Sequence, residues 1–367
     1  DSVVSDGIEL RNGTGAGATP AIKVRISKNQ FGNNQGQAIN LLPDNVNLNN
    51  GACAEAGQQN FSVDFPVITL AEISGTNLRL EGSTCAGLSG TVELYKIAAT
   101  SGNGETVSNS IYGEGDAFVG SFAVSGGTFA PQTFSDVHNL IGGDYVTAIF
   151  IDANGNTSEF SKNAYVYTPV TLSATPDVTE GMTGKITATI NITSLNAVVV
   201  NLGFSNQSAS DNDYSKTSTI TIPAGQLSAS IPFTATDDTT VEDAESFTIN
   251  IVSAQNATNH ATAQTVTIHD NDFTTVTLSA SASLVEGQSG VVTATLATLS
   301  VNPVNVTLVY TDVTTTGSDY SGGLTIVIPG GKQSATATFQ ANVDNEIEGT
   351  ETVQVNIATA TGATNAA

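Results

Sequence analysis

The chain contains no tryptophan, one methionine, two cysteines and three histidines, and only 10 of its 367 residues are lysine or arginine. Each shortage excludes something. Against those 10 basic residues stand 34 acidic ones, a formal net charge of -24, which repels nucleic acid and anionic membrane and favours divalent cations. No run of 18 apolar residues occurs, so no helical membrane span is expected. His138, His260 and His269 lie in different regions, with no cysteine, serine elbow or acid at a telling spacing. Phosphate-cradling glycine loops and zinc spacings are missing too, so the chain is not read as an enzyme. Without tryptophan a sugar-stacking platform is weak, leaving Tyr112, or Tyr165 and Tyr167, as partial substitutes. The chain opens at Asp1 with no signal-like segment, and any export signal is expected outside it.

What is present is Gly, Ser, Thr, Asn, Val and Ile, with apolar and polar residues alternating, as in Lys185-Ile-Thr-Ala-Thr-Ile-Asn-Ile192. Period two predicts strands, and no stretch of a dozen residues carries a 3.6-residue period, so the fold class is all-β. Cys53 and Cys85 are compatible with one disulfide in an oxidising compartment or with two buried thiols.

Residues 170–272 and 276–367 are one unit written twice at an offset of 106. Val170-Thr-Leu-Ser-Ala returns at Val276, Glu180-Gly181 at Glu286-Gly287, Asp213-Tyr214 at Asp319-Tyr320, and Ile222-Pro-Ala-Gly at Ile328-Pro-Gly-Gly. Strands are predicted at about 169–175, 183–192, 197–205, 217–222, 228–235, 246–253 and 263–269. Seven antiparallel strands place every second connection at one end of a sandwich. Those connections carry Asp177 and Glu180, Asp211 and Asp213, Asp237, Asp238, Glu242, Asp243 and Glu245, and Asp270 and Asp272. The opposite connections, 193–196, 223–227 and 254–262, carry no acid. Eleven carboxylates at one end repel unless neutralised. A cation wanting six to eight oxygens from flexible loops, calcium rather than magnesium, answers that; a solvated acidic rim is the alternative.

These motifs, in order, resemble Calx-β domains over residues 169–367: Glu-Gly after the first strand, Asp-Tyr before the fourth, Ile-Pro-x-Gly, and Asp-Asp-x-x-x-Glu-x-x-Glu, with a closing Asp-Asn-Asp in the first copy. The resemblance implies calcium at one end of each β-sandwich. It implies as ligands Glu180, Asp213, Asp237, Asp238, Glu242, Glu245, Asp270 and Asp272, with the Thr240 carbonyl. The second copy departs from the pattern: Val343 replaces the first Asp of the pair, leaving Glu286, Asp319, Asp344, Glu348 and Glu351 as a weaker or incomplete set. By the same offset its seventh strand would begin near position 369, so an unpaired sheet edge is expected.

Upstream, Gly7-Ile-Glu-Leu-Arg-Asn12 and the Asn-rich stretch Ile22–Leu41 set apolar triplets between turns and resemble the closing coils of a parallel β-helix, an irregular strand pair being the alternative. Residues 60–167 hold about seven strand-like runs and resemble the immunoglobulin-like sandwich that follows β-helices in large secreted bacterial surface proteins. The stretch Gly143–Ser161 reads as a hairpin on an Asn-Gly turn, in which Asp152, Asn154 and Asn156 serve the turn rather than a cation. The expected units are therefore a β-helix end and linker at 1–58, an Ig-like sandwich at 59–168, and Calx-β units at 169–273 and 274–367.

The whole is similar to a section of the giant extracellular, cell-surface adhesins of gliding bacteria. That resemblance implies a calcium-stiffened stalk that presents a region binding a surface or polysaccharide, with further copies of the chain as partners if it forms a filament. The alternatives are a non-catalytic part of a secreted β-helix polysaccharide-processing enzyme and a calcium sensor resembling exchanger modules.

Overall fold

Alternating Val, Ile and Thr build strands almost throughout. In a computed structural model, which describes residues 6–11, 18–32, 34, 36–41, 46–98, 105–107 and 109–365, the one helical element among the described residues is a 3-10 turn, Gln59–Ser62. Asp1, Asn12, Asn33 and Ala367, on which parts of the sequence reading fall, lie outside the described residues.

Near the N-terminus, Ile8–Leu10 and Ile39–Leu41 pair in parallel, Ile8 opposite Ile39. The triplet around Val24 forms no strand. Its backbone is claimed by side chains of the next unit: Lys23 N–H donates to Asn156 Oδ1 at 2.8 Å, Val24 N–H to Asn60 Oδ1 at 2.9 Å and Ile26 N–H to Thr157 Oγ1 at 2.8 Å. Farther along, Leu41 N–H and Asn47 N–H both donate to the buried Glu159 carboxylate, at 2.8 and 2.7 Å. Ile26, Phe31, Ile39 and Leu41 share one core with Tyr95, Ile149, Ile151 and Phe160, so apolar packing crosses the expected boundary at 58/59. Cys53 and Cys85 are bonded, with Cα atoms 5.4 Å apart, which fastens the same segment to the sandwich a second time.

The middle unit is two sheets around a core that includes Leu78, Leu80, Leu94, Ala148, Phe150 and Val166. One sheet runs Thr128–Phe134, Asn77–Ser83, Val67–Ser74; the other runs Ala117–Ser125, Ser89–Ile97, Tyr145–Asp152; Ala164–Ala174 joins both. The second leg of the expected hairpin is a correction, because residues 153–163 form no regular strand. Ser158 Oγ and Ser161 Oγ accept the N–H groups of Phe150 and Ala148, both at 2.9 Å, taking places that backbone carbonyls hold in a regular ladder. The Asn-Gly turn itself forms around Asp152, whose Oδ1 accepts from Asn154 N–H and Asn156 N–H, each at 2.8 Å, as a turn role requires.

Ala164–Ala174 is continuous through the expected 168/169 boundary: its first half belongs to the middle unit and its second half pairs with Thr183–Ile190 of the first repeat. That repeat is a sandwich. One sheet holds Ala164–Ala174, Thr183–Ile190, Ser228–Ala235 and Tyr214–Ser215; the other holds Asp177–Thr179, Gln264–His269, Glu245–Gln255, Val198–Asn206 and Thr219–Ile222. Seven of these lie where the alternation predicts, and the short pieces Asp177–Thr179, Tyr214–Ser215 and Ala257–Asn259 were not read. Phe233, Phe247, Ile186, Ile220 and Val266 sit in its core with no exposed surface beyond 1%.

The second repeat copies this down to individual hydrogen bonds. Gly181 N–H donates to Ala235 O at 3.1 Å and Gly287 N–H to Ala341 O at 2.9 Å; Thr236 N–H donates to Asp213 O and Asn342 N–H to Asp319 O, both at 2.8 Å. Its second sheet holds only Thr325–Ile328, Val304–Asp312 and Val353–Thr361 among the described residues.

Both repeats seat the same loop on the unit before them. Gly142 N–H donates to Thr193 O at 3.0 Å and Leu195 N–H to Gly142 O at 2.7 Å; one repeat later, Val241 N–H donates to Leu299 O at 3.2 Å and Val301 N–H to Val241 O at 3.1 Å. Ser194 and Ser300, at the centres of these loops, are both buried. The neighbouring Gly143 has φ +88°, and a Cβ there would lie 3.0 Å from Asn196 and Leu195 side-chain atoms. Only glycine relieves both. The acid-free end of one sandwich thus abuts the preceding unit, and for the second repeat that neighbour is the acidic loop containing Val241.

Candidate metal centre

In the first repeat, strand ends place the acids. Glu180 follows Asp177–Thr179; the loop between Ser228–Ala235 and Glu245–Gln255 carries Asp237, Asp238 and Glu242; Asp270 and Asp272 follow Gln264–His269. Carboxylate oxygens of Glu180, Asp270 and Asp272 lie within 4.8 Å of one another. Backbone N–H groups and one hydroxyl orient the set. Asp270 accepts from Glu242 N–H and from Asp272 N–H, both at 2.8 Å, Asp238 accepts from Thr240 N–H at 2.6 Å, and Asp213 accepts from Ser210 Oγ at 3.0 Å.

Electrostatics shows how crowded the set is. Burial, then the charges of Asp270, Asp238, Glu242 and Asp272, push the Glu180 carboxyl up to about 7. Glu245 is likewise pushed up to about 7, first by burial and then by a hydrogen bond with Asp213 and the charges of Asp213, Glu242 and Glu180. Glu242 is raised by burial and by Asp238, Asp213, Asp270 and Asp272; Asp272 is raised by burial and by Asp270, Asp237 and Asp238. Glu180, Asp270 and Asp272 form the close group; the charges of Asp238 and Glu242 act on Glu180, that of Asp213 acts on Glu242 and Glu245, and that of Asp237 acts on Asp272.

The arrangement fits a cation on one further observation. Glu180 is 6% exposed, yet its Oε2 has no hydrogen-bond partner, and neither has the buried Asp272 Oδ2. A buried carboxylate oxygen without a donor is costly unless protonated or neutralised. A hard oxygen-seeking cation would supply what both atoms lack, with Glu180, Asp270 and Asp272 close enough together to share it.

Three of the eleven acids do other work or none. Asp211 pairs with Lys216 at 2.7 Å, which holds its carboxyl below the usual range; Asp177 meets His269 at 3.2 Å; Asp243 is exposed. One contributor went unread: Asn271, whose amide donates to Glu180 O at 3.2 Å and to Asp237 Oδ1 at 2.9 Å, fixing the first loop to the third. The Asp-Asn-Asp spelling was its only signal.

The second repeat splits its acids into two overlapping groups, Glu286 with Asp344 and Glu348, and Asp319 with Glu348 and Glu351. The local folding is the same, with Asp319 accepting from Thr316 Oγ1 at 2.9 Å and Asp344 from Glu346 N–H at 2.8 Å. Glu286, Asp344 and Glu348 are exposed, however, whereas Glu180 is buried. Val343 takes the place of Asp237: a Cβ on Gly181 would face the Asp237 carboxylate at 3.4 Å, and one on Gly287 would meet Val343 Cγ2 at 3.0 Å.

No family model matches the chain. Solved structures to which it is similar include the apo-form Calx CBD1 domain, at 17% identity over 28% of this chain and 98% of that one, with a TM-score of 0.26. They also include CBD12 from CALX1.2, at 14% identity over 51% and 79% with a TM-score of 0.26, and E. coli alpha-2-macroglobulin, at 7% identity over 80% and 23% with a TM-score of 0.21. Likenesses this loose decide neither fold nor function, and the acid cluster stands on its own geometry.

Proposed function

We propose that residues 169–367 are two Calx-β-type modules whose acidic ends bind calcium, set in tandem after a β-helix end and an Ig-like sandwich in a secreted cell-surface adhesin. The observation that carries the calcium reading is the buried, partnerless Glu180 Oε2 among seven further carboxylates. Calcium suits the set because the donors come from several loops and include more carboxylates than a strict octahedron uses.

The stalk role draws support from the two repeated joints, at Gly142 with Ser194 and at Val241 with Ser300, and from the strand that runs unbroken through the middle unit into the first repeat. A multidomain rod needs joints of this kind. The adhesive ligand, a surface or polysaccharide, the extracellular location and any filament of further copies are part of the same proposal.

Thermal melting of the chain in calcium, in magnesium and in chelator tests it. Calcium at a hundredfold excess over Kd should add about 2.7 kcal/mol to the stability of the binding unit. Equal melting in calcium and chelator would overturn the reading.

A further inference from the structure

Three of the chain's eight tyrosines meet where the middle unit joins the first repeat. Strand Ala164–Ala174 runs through this joint with Val166 and Thr168 buried, so Tyr165 and Tyr167 share its opposite face. Tyr145 stands directly opposite Tyr165 on the antiparallel neighbour, which puts all three rings on that one face. The rings of Tyr145 and Tyr165 lie 5.5 Å apart at 87°, and those of Tyr165 and Tyr167 lie 4.8 Å apart at 58°. Tyr145 is 43% exposed, and the other two are half-buried.

Polar groups from both units border this row. Tyr167 is in register with Glu72 on the parallel neighbour Val67–Ser74. Glu72 is 5% exposed; its Oε2 accepts from Thr258 Oγ1 and lies 3.0 Å from His260 Nε2, both residues of the first repeat. The His260 side chain is 48% exposed, so the imidazole reaches solvent while the carboxylate is held beneath it. Asn196, from the loop that seats the first repeat on the middle unit, donates its amide to the Tyr165 hydroxyl at 3.4 Å.

We propose that this joint surface binds a single chain of a neutral polysaccharide. Tyrosine rings offer apolar faces to the C–H faces of sugars, and their hydroxyls, with Asn196, Thr258, His260 and Glu72, offer partners for sugar hydroxyls. Apolar lining with a few fixed polar groups, at the boundary between two units, is the usual make-up of a small-molecule site. The ring geometry chooses between forms of the ligand. Rings crossed at 87° and 58° make no flat platform for a crystalline surface, whereas they suit one chain whose successive sugars are turned about their linkages. Charge chooses the class: a net charge of -24 repels uronate and sulfate polymers and leaves neutral ones. As the polysaccharide contact of an adhesin the site rests on the reading above; as a sugar site it rests on these residues alone, none of which belongs to the acidic cluster.

The test is electrophoresis of the full chain, in chelator, through native gels containing dextran, a soluble β-glucan or a galactan, with alginate as the anionic control. At least one neutral polymer should retard the chain, and alginate should not. Tyr145→Ala, at an exposed position, should raise the Kd for that polymer by about tenfold, as loss of an ordinary aromatic contact does, and Tyr145→Phe should keep the binding. A melting curve for each variant shows that the fold is retained. No retardation by any of the neutral polymers, retardation unchanged by Tyr145→Ala, or retardation by alginate alone overturns the site. Equal loss in Tyr145→Ala and Tyr145→Phe overturns the stacking. Melting in calcium without sugar is read separately, so failure here and failure of the calcium reading are distinguishable.

Discussion

The backbone N–H of Glu242 donates to the carboxylate of Asp270 at 2.8 Å, so the loop before Glu245–Gln255 is held by the tail that follows the last strand. Asp270 also accepts from Asp272 N–H at 2.8 Å, leaving its lone pairs divided between positioning the loop and facing the cluster. Asp270→Ala should therefore weaken calcium binding by on the order of 10- to 100-fold, as loss of an orienting group does. In chelator the same change should cost far less, because it also relieves repulsion on Glu180 and Glu242. Calorimetric titration and paired melting curves measure both halves. An equal loss of stability in calcium and chelator would mean that Asp270 only caps the loop.

The apo protein should have a pH dependence of unusual sign. Glu180 and Glu245 both have a carboxyl raised from 4.5 to about 7, so the folded state holds those protons more tightly than the unfolded state does. The stability this contributes is fully present below pH 4.5 and is lost as pH rises through about 7. In chelator, melting should fall between pH 5 and 8, about the window of these two groups. With calcium the slope should reverse, since the ion competes with those protons and releases them on binding. Denaturation curves at several pH values in each condition decide it.

Restoring the missing carboxylate should improve the second site. Val343 is 70% exposed, and its Cγ2 sits beside Gly287 as the Asp237 carboxylate sits beside Gly181. Val343→Asp thus costs little packing, and it should raise the calcium affinity of the second repeat, by about tenfold if a charged ligand of ordinary strength is gained. Titration monitored by NMR signals from residues 286 and 344–348 reports on that site separately from the first. An affinity no higher than that of the parent chain would show that position 343 faces away from the ion.

Reduction of the Cys53–Cys85 bond should destabilise the N-terminal part selectively. The two cysteines are 32 residues apart, and opening a loop of that size removes roughly 3 to 4 kcal/mol in the chain-entropy model. Hydrogen exchange should quicken around Ile39–Leu41 and Gln59–Ser62 and stay unchanged in the two repeats. Uniform quickening would mean that the segment is not separately fastened.

The sequence by itself determined the class of fold, the repeat and the acids. Strict alternation allows only strands with one face inward, and a 106-residue offset without insertions obliges the second unit to copy the first. Sorting acids by alternate connections needed no coordinates, and three of the eight acids expected in the first repeat, Glu180, Asp270 and Asp272, have carboxylate oxygens within 4.8 Å of one another. What only the tertiary structure decided depends on contacts between segments far apart in the chain. Glu159 serving Leu41 and Asn47, Asn156 and Thr157 serving Lys23 and Ile26, and His260 meeting Glu72 at 3.0 Å join residues more than 100 positions apart. Nothing local in Ser194 or Ser300 marks the joints, and nothing in Ser158 or Ser161 announces that hydroxyls would replace a strand ladder. Local pattern fixes which face of a strand is apolar; which polar side chain satisfies a distant backbone group is settled only when the chain has folded and every buried N–H must find a partner.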